Sequence, residues 1–189
     1  AHRPEVCRQT RRLLMMGDWL TWRLCGEFVT EPSNAAESGL FDITNCNWSA
    51  PLLDEWCIPP ALLPPIAAAG EVAGALTPAA AAALGLPAGL RVALAPADTP
   101  AAILGLGLTR PGEAGIVAGW SAPAQLLVGR PLFDPDCCLW TTCSALPGVW
   151  AVEGNAGPAG GAHRLARDLL LPGGSFEAFD ALAGSAPAG

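Results

Sequence analysis

The chain has 189 residues, enough for one ordinary domain or parts of two, and its 51% apolar and 14% charged composition marks it as globular and not disordered. A net charge of −7 and a sequence pI near 4.7 argue against nucleic acid as a partner. All ten basic residues are arginines, which excludes a Walker-type phosphate loop, a Schiff-base enzyme and a lysine general base within this chain.

In chain order, an amphipathic helix is expected from about Pro4 to Leu24, interrupted near Gly17-Asp18 and stopped at Gly26. Arg3, Arg8, Arg11 and Arg12 read as its wet face, with salt bridging as the second reading. Gly26 to Asn47 reads as loop and a short strand at Glu27–Thr30, with Ser33, Asn34, Glu37 and Asp42 as turn formers. Ser49 is a candidate cap for a short helix over Ala50–Trp56, and Pro59, Pro60, Pro64 and Pro65 bracket a turn. Thr77-Pro78 opens a helix through Ala83 that Gly85 ends. Arg110-Pro-Gly-Glu-Ala114 is a loop and the expected domain boundary. Strand-like runs follow at Gly115–Ala118, Gln125–Val128, Leu139–Cys143 and Val149–Val152, expected to be mostly antiparallel. Gly160–Leu171 reads as a helix, and Pro172–Ser175 and Gly184–Gly189 as loop or fray.

Seven cysteines without a CxxC pair, and only His2 and His163 beside them, give no zinc spacing; core thiols in a reducing compartment are expected. No signal-peptide pattern opens the sequence and Gly and Pro break its longest apolar runs, so a protein of the cytoplasm, free of the membrane, is expected. Trp19, Trp22, Trp48 and Trp56 read as core or interface packing.

Asp98 is the leading chemical candidate. It follows the apolar run Arg91-Val-Ala-Leu-Ala-Pro-Ala, read as a strand buried on both faces as in a parallel sheet, and precedes an apolar helix. Ligands of such sheets bind beyond the carboxyl ends of strands. Asp is also a preferred helix N-cap, with Pro100 typical of a first turn. The readings are compatible, since backbone N–H bonds to a carboxylate favour its ionised form.

The motifs in series resemble the FGGY carbohydrate kinases. Gly17-Asp-Trp-Leu-Thr-Trp-Arg-Leu-Cys-Gly-Glu27 is similar to that family's "wrLtGe" signature; Pro32-Ser-Asn-Ala35 and Gly39-Leu-Phe-Asp42 follow at the expected interval. Ala97-Asp98-Thr99 resembles "gaGD(N/Q)", Gly112 to Ser121 resembles "pG…GTS", and Val152-Glu-Gly-Asn-Ala-Gly157 resembles "EG…aG". The resemblance implies an α/β ribonuclease H-like fold of the actin–hexokinase superfamily, in part: the back half of the first lobe plus the start of the second. Residues 1–110 correspond to the rear of the sugar-binding domain and 111–189 to the beginning of the nucleotide-binding domain. The family's Asp-x-Gly-Thr phosphate element has no match here, so the chain reads as an internal segment of a longer kinase, inactive by itself.

The resemblance further implies phosphoryl transfer from ATP to a sugar or polyol hydroxyl, with Asp98 as general base and Thr99 beside the substrate. Gly119, Trp120 and Ser121 would meet phosphate, and Mg²⁺ would enter with ATP, held partly by phosphates and water. Trp120 stands where the family has Thr, which removes one hydroxyl. A turn is the plain reading of Gly119–Ser121, and a first-turn helix residue that of Thr99. Gln125 reads as exposed strand or cleft residue, and Glu153 and Asn155 as cleft lining or local caps. The intact parent could be a homodimer. A non-catalytic carbohydrate-binding protein on the same scaffold is the competing expectation.

Overall fold

The structure, a computed structural model, describes residues 3–187. His2, weighed above as a metal ligand, and Ala188 and Gly189 of the expected frayed tail lie outside that range, as does Ala1. Two helices, α1 (Pro4–Gln9) and α2 (Met16–Cys25), replace the single one expected. The break falls at residues 10–15, because Asp18 is a start signal and not an interruption: its Oδ2 accepts from the Met15 amide at 3.0 Å and closes the first turn of α2. α1 buries no side chain and Arg3 pairs with Glu5, as its basic face suggested. Gly26, at φ 82°, ends α2.

The Glu27–Thr30 strand reduces to one parallel bridge between Thr30 and Ile66. Where a loop was expected, α3 (Pro32–Ala36) forms, because Glu31 caps it through the Ser33 and Asn34 amides and Pro32 fits the first helical position. A hairpin, β1 (Phe41–Asp42) with β2 (Asn47–Trp48), leads to α4 (Ala50–Glu55). Next come β3 (Val72–Ala75) and α5 (Pro78–Leu84), which Thr77 caps and Gly85 ends as expected.

β4 (Arg91–Ala93) overturns one expectation. It pairs antiparallel with β3 in a two-stranded ribbon, and Arg91 and Ala93 are exposed. Of the described elements, α2 packs on this ribbon, and a second apolar face is missing. The apolar run finds its burial one residue later, at Leu94, which is 5% exposed. α6 (Asp98–Gly105) follows.

Beyond the turn at 110–113, β5 (Ala114–Ile116), β6 (Pro123–Val128), β7 (Trp140–Cys143) and β8 (Trp150–Asn155) form one antiparallel sheet in the order β5-β6-β8-β7. α7 (Ala159–Leu170) and α8 (Phe176–Gly184) complete the chain; α8, capped by Ser175, had no counterpart in the sequence reading. Ile103 of α6 packs on Leu127 and Ala151, so α6 is anchored on the sheet and carries Asp98 to its edge. A second cluster of Ala35, Phe41 and Cys143 joins α3 and β1 to β7.

All seven cysteines are free, but only Cys25 and Cys143 are buried. Three of the exposed five, Cys46, Cys57 and Cys137, occupy left-handed turn positions at φ 49°, 52° and 54°, where the chain reverses at the surface. Trp48 packs edge-on against Phe41, whereas Trp19, Trp22 and Trp56 stay exposed in this chain.

The anchoring of α6 is open to a direct check. Ile103→Ala is expected to cost about 2–5 kcal/mol in urea unfolding, while Leu104→Ala, on the exposed face, should stay within about 0.5 kcal/mol of the parent. Equal losses would mean that α6 is not seated on the sheet through Ile103.

Candidate functional site around Asp98

The segment Ala95-Pro96-Ala97 between β4 and α6 is gripped from α3. Ser33 Oγ accepts from the Ala97 amide at 2.8 Å, and Asn34 Nδ2 donates to the Ala95 carbonyl at 3.2 Å. Ser33 Oγ in turn donates to Glu31 Oε1 at 2.6 Å, and the same carboxylate accepts from the Ser33 and Asn34 amides at 3.0 and 2.6 Å. Glu31 is 1% exposed and Ser33 is fully buried. Ser33 and Asn34 are therefore not turn formers but the clamp that positions the residue after Ala97.

That residue is Asp98. Ala97 occupies the cap position and Asp98 is the first residue of α6, so the N-cap reading is off by one. Asp98 is exposed, and its Oδ1 accepts from the Thr99 amide at 2.6 Å with the Thr99 hydroxyl 3.4 Å away. Two cavities share it. One, of about 280 Å³, is bounded by Glu37, Asp98, Thr99, Ser121, Gln125 and Glu153. The other, of about 310 Å³, reaches from Asp98 past Ala95 and Asn34 to Asp18 and Thr21 of α2. A third cavity, about 450 Å³, lies elsewhere, between the β1–β2 hairpin and β7–β8; it lacks Asp98 and is mostly apolar.

Opposite Asp98, β6 alternates its side chains, with Pro123, Gln125 and Leu127 inward. Gln125 is thus 2% exposed, against the expectation of an exposed strand residue. Its Nε2 donates to Glu153 Oε2 at 2.7 Å, directly across the β6–β8 ladder, and its Oε1 is buried without a partner. Glu153 faces the cavity and is 6% exposed. Asn155 satisfies both of its readings: it lines the cavity, and its Oδ1 accepts from the Gly157 amide.

Glu37, read as a turn former, also lines this cavity. Burial first, then the charges of Glu153 and Asp98, hold its carboxyl above the ordinary value. Asp42 does act as a turn former, accepting from the Thr44 and Asn45 amides. Asp18 is 3% exposed; burial raises its carboxyl most, opposed by the hydrogen bond from the Met15 amide. Sequence reasoning missed Glu31 and Asp18 as buried carboxylates. The visible signal for Glu31 was an acid directly before Pro32, a helix-start pattern.

Of the three residues at the bend, Ser121 joins Asp98 and Thr99 at the cavity, while Gly119 and Trp120 form the outer turn. The Gly119 amide donates to the Ser121 carbonyl at 2.8 Å, and the Trp120 carbonyl accepts from the Gly160 amide at 3.0 Å. The start of α7 presses on this bend: a Cβ at Gly160 would lie 2.4 Å from the Gly119 oxygen, and one at Gly161 would lie 2.9 Å from the Trp120 ring. Trp120 itself is 68% exposed. Among the described residues, no group of three His, Cys, Asp or Glu side chains is placed to hold a metal ion.

Comparison with known proteins gives consistent matches. Residues 1–105 match the FGGY family of carbohydrate kinases, N-terminal domain. The chain is 32% identical over 152 residues to the autoinducer-2 kinase of Escherichia coli K12, covering 80% of this chain and 29% of that one. It is 34% identical over 154 residues to the autoinducer-2 kinase of an Enterobacter species, with the same coverages. A xylulose kinase structure from Rhodospirillum rubrum superposes with a TM-score of 0.84 at 32% identity, over 100% of this chain and 39% of that one. Ligand-bound xylulose kinase from Lactobacillus acidophilus, at 24% identity, shares the fold with a TM-score of 0.88, over 99% of this chain and 38% of that one. The chain thus spans about 29% of the length of these curated relatives.

Two measurements test this geometry. Ser33→Ala leaves the Ala97 amide without its acceptor and should cost about 1–3 kcal/mol in denaturant unfolding. Glu37 binds its proton more tightly folded than unfolded, so its contribution to stability is present at low pH and is lost as pH rises through its raised value. Glu37→Gln should therefore raise the melting temperature at pH 7, with the difference vanishing as pH falls below the ordinary 4.5. A pH-independent difference would mean that Glu37 feels neither burial nor its acidic neighbours.

Proposed function

The chain belongs to the FGGY family of carbohydrate kinases, and from that premise we propose that it supplies the acceptor-activating part of an ATP-dependent sugar or polyol kinase, with Asp98 as general base. The observation that carries this reading is the exposed Asp98 carboxylate on the ridge between two cavities, with Ser121 across one of them. Asp98 orients the acceptor hydroxyl and takes its proton as the oxygen–phosphorus bond forms and the bond to the leaving ADP breaks. A loose transition state asks little activation of the nucleophile, so an ordinary carboxylate suffices, and orientation supplies much of the acceleration. The Thr99 hydroxyl, beside Asp98 Oδ1, helps hold the carboxylate or the acceptor.

ATP fits this chain at one point. The Ser121 hydroxyl can donate to a phosphate oxygen at the cavity wall, whereas the Gly119 amide is already engaged and Trp120 has no hydroxyl. Mg²⁺ would arrive with the phosphates and water, because no protein cluster among the described residues suits it, and no step is assigned to it. The cavity's acidic lining of Glu37, Asp98 and Glu153 favours a neutral hydroxylated acceptor over a sugar acid. Residues 1–110 form the acceptor side and 111–189 the nucleotide side, joined through α6 and the turn at 110–113. No helix among the described residues is long and apolar enough to cross a membrane. A cytoplasmic setting and a homodimer of the intact parent belong to the same proposal. A second reading, a non-catalytic carbohydrate binder, is favoured by the engaged Gly119 amide and by Trp120 in place of Thr.

In a longer kinase that carries this segment, Asp98→Asn should lower kcat by about 10²–10⁴-fold with folding intact. The 189-residue chain, which has no Asp-x-Gly-Thr element, should give no sugar-dependent ATP turnover above its own Asp98→Asn control. Turnover by the short chain would overturn the need for that element, and an active Asp98→Asn parent would overturn the role of Asp98.

A further inference from the structure

The 450 Å³ cavity brings two cysteines from distant parts of the chain together. Cys46 lies in the turn of the β1–β2 hairpin, and Cys143 ends β7 in the sheet beyond residue 110; both line the 450 Å³ space. Their proximity is fixed by one carbonyl. Ile43 O accepts from the Trp150 indole at 2.8 Å and from the Cys46 thiol at 3.6 Å. Trp150 is the ladder partner of Cys143 across β7–β8, and Ile43 packs against the cluster that contains Cys143.

They differ in access. Cys46 is exposed, while Cys143 is 3% exposed. Burial, and then the neighbouring Cys46, push the Cys143 thiol up. No other cysteine lines this cavity among the described residues.

We propose that Cys46 and Cys143 form an oxidation site that low-molecular-weight disulfides convert to an intramolecular disulfide, tying the hairpin to the sheet. The Cys46 thiolate attacks one sulfur of the small disulfide, forming a mixed disulfide and expelling one small thiolate. The Cys143 sulfur then attacks Cys46 Sγ and gives up its proton to water. The Cys46–Cys143 bond forms, the mixed bond breaks, and a second small thiol leaves. Two cysteine thiols are oxidised and one small disulfide is reduced, so the electrons balance. The bond would span the cavity that Glu31 also lines, and so would link the two parts of the chain beside the clamp beneath Asp98.

The site is independent of kinase activity and can be tested on this chain with oxidised glutathione. Cleavage after glutamate isolates Cys46 in residues 38–55, apart from Cys25 and Cys57, and places Cys143 in residues 114–153 with Cys137 and Cys138. Under non-reducing conditions these two peptides should be found cross-linked, both in the parent and in a Cys137→Ser/Cys138→Ser variant. The cross-link should be absent from Cys46→Ser, an exposed substitution that leaves the fold intact. Oxidation should raise the melting temperature of the parent and not that of Cys46→Ser. Glutathione adducts alone, an unmodified Cys46, or a cross-link that disappears in the Cys137→Ser/Cys138→Ser variant would overturn the proposal.

Discussion

The carboxylate of Glu31, 1% exposed, sits under the segment that leads to Asp98, and much of the site depends on it. A buried charge is tolerated only where donors replace the water it lost. Here the donors are the Ser33 hydroxyl and the Ser33 and Asn34 amides, two of them at 2.6 Å. The same contacts start α3 and orient the Ser33 oxygen toward the Ala97 amide. One side chain therefore caps a helix, satisfies its own charge and sets where β4 hands over to α6. Asp98 needs no buried partner of its own, because the backbone just before it is held from α3.

Apolar packing supplies the second half of the frame. Ile103 seats α6 on Leu127 and Ala151, and Phe41 with Ala35 meets Cys143. These two contacts lie beside a polar gap that Glu37, Asp98 and Glu153 line together. Like charges in a partly dehydrated wall work against the folded state, as the raised Glu37 carboxyl records. Gln125 adds a buried carbonyl oxygen with no partner. Packing alone gives no reason for this unpaired polarity.

Legibility in the sequence followed the range of the interactions. Thr77 and Gly85 bound α5 where local chemistry says they should, and the four later strands fell close to their expected runs. Local rules failed where a distant partner decides. The Arg91–Ala93 strand reads as doubly buried, yet its fate depends on a two-stranded ribbon covered by α2. Ser33 and Asn34 read as turn residues because their partners at 95 and 97 lie more than sixty positions away. Gln125 could be placed inward only once its register against Glu153 was known. Asp98 drew attention from its place between an apolar run and a helix, and the family motifs added Ser121, without any knowledge of the sheet.

The bend at 119–121 bears on how much nucleotide binding this chain can contribute. A helix start offers free amides to an anion, and α7 begins beside the bend. Its Gly160 amide, however, is bound to the Trp120 carbonyl, and Gly160 and Gly161 are needed as glycines so that α7 can approach that closely. The Gly119 amide is turned onto Ser121 in the same way. These two donors thus hold the turn together, while Ser121 lines the cavity. On the proposed reading, the engaged Gly119 and Gly160 amides reduce what this bend can offer a phosphoryl group near Asp98.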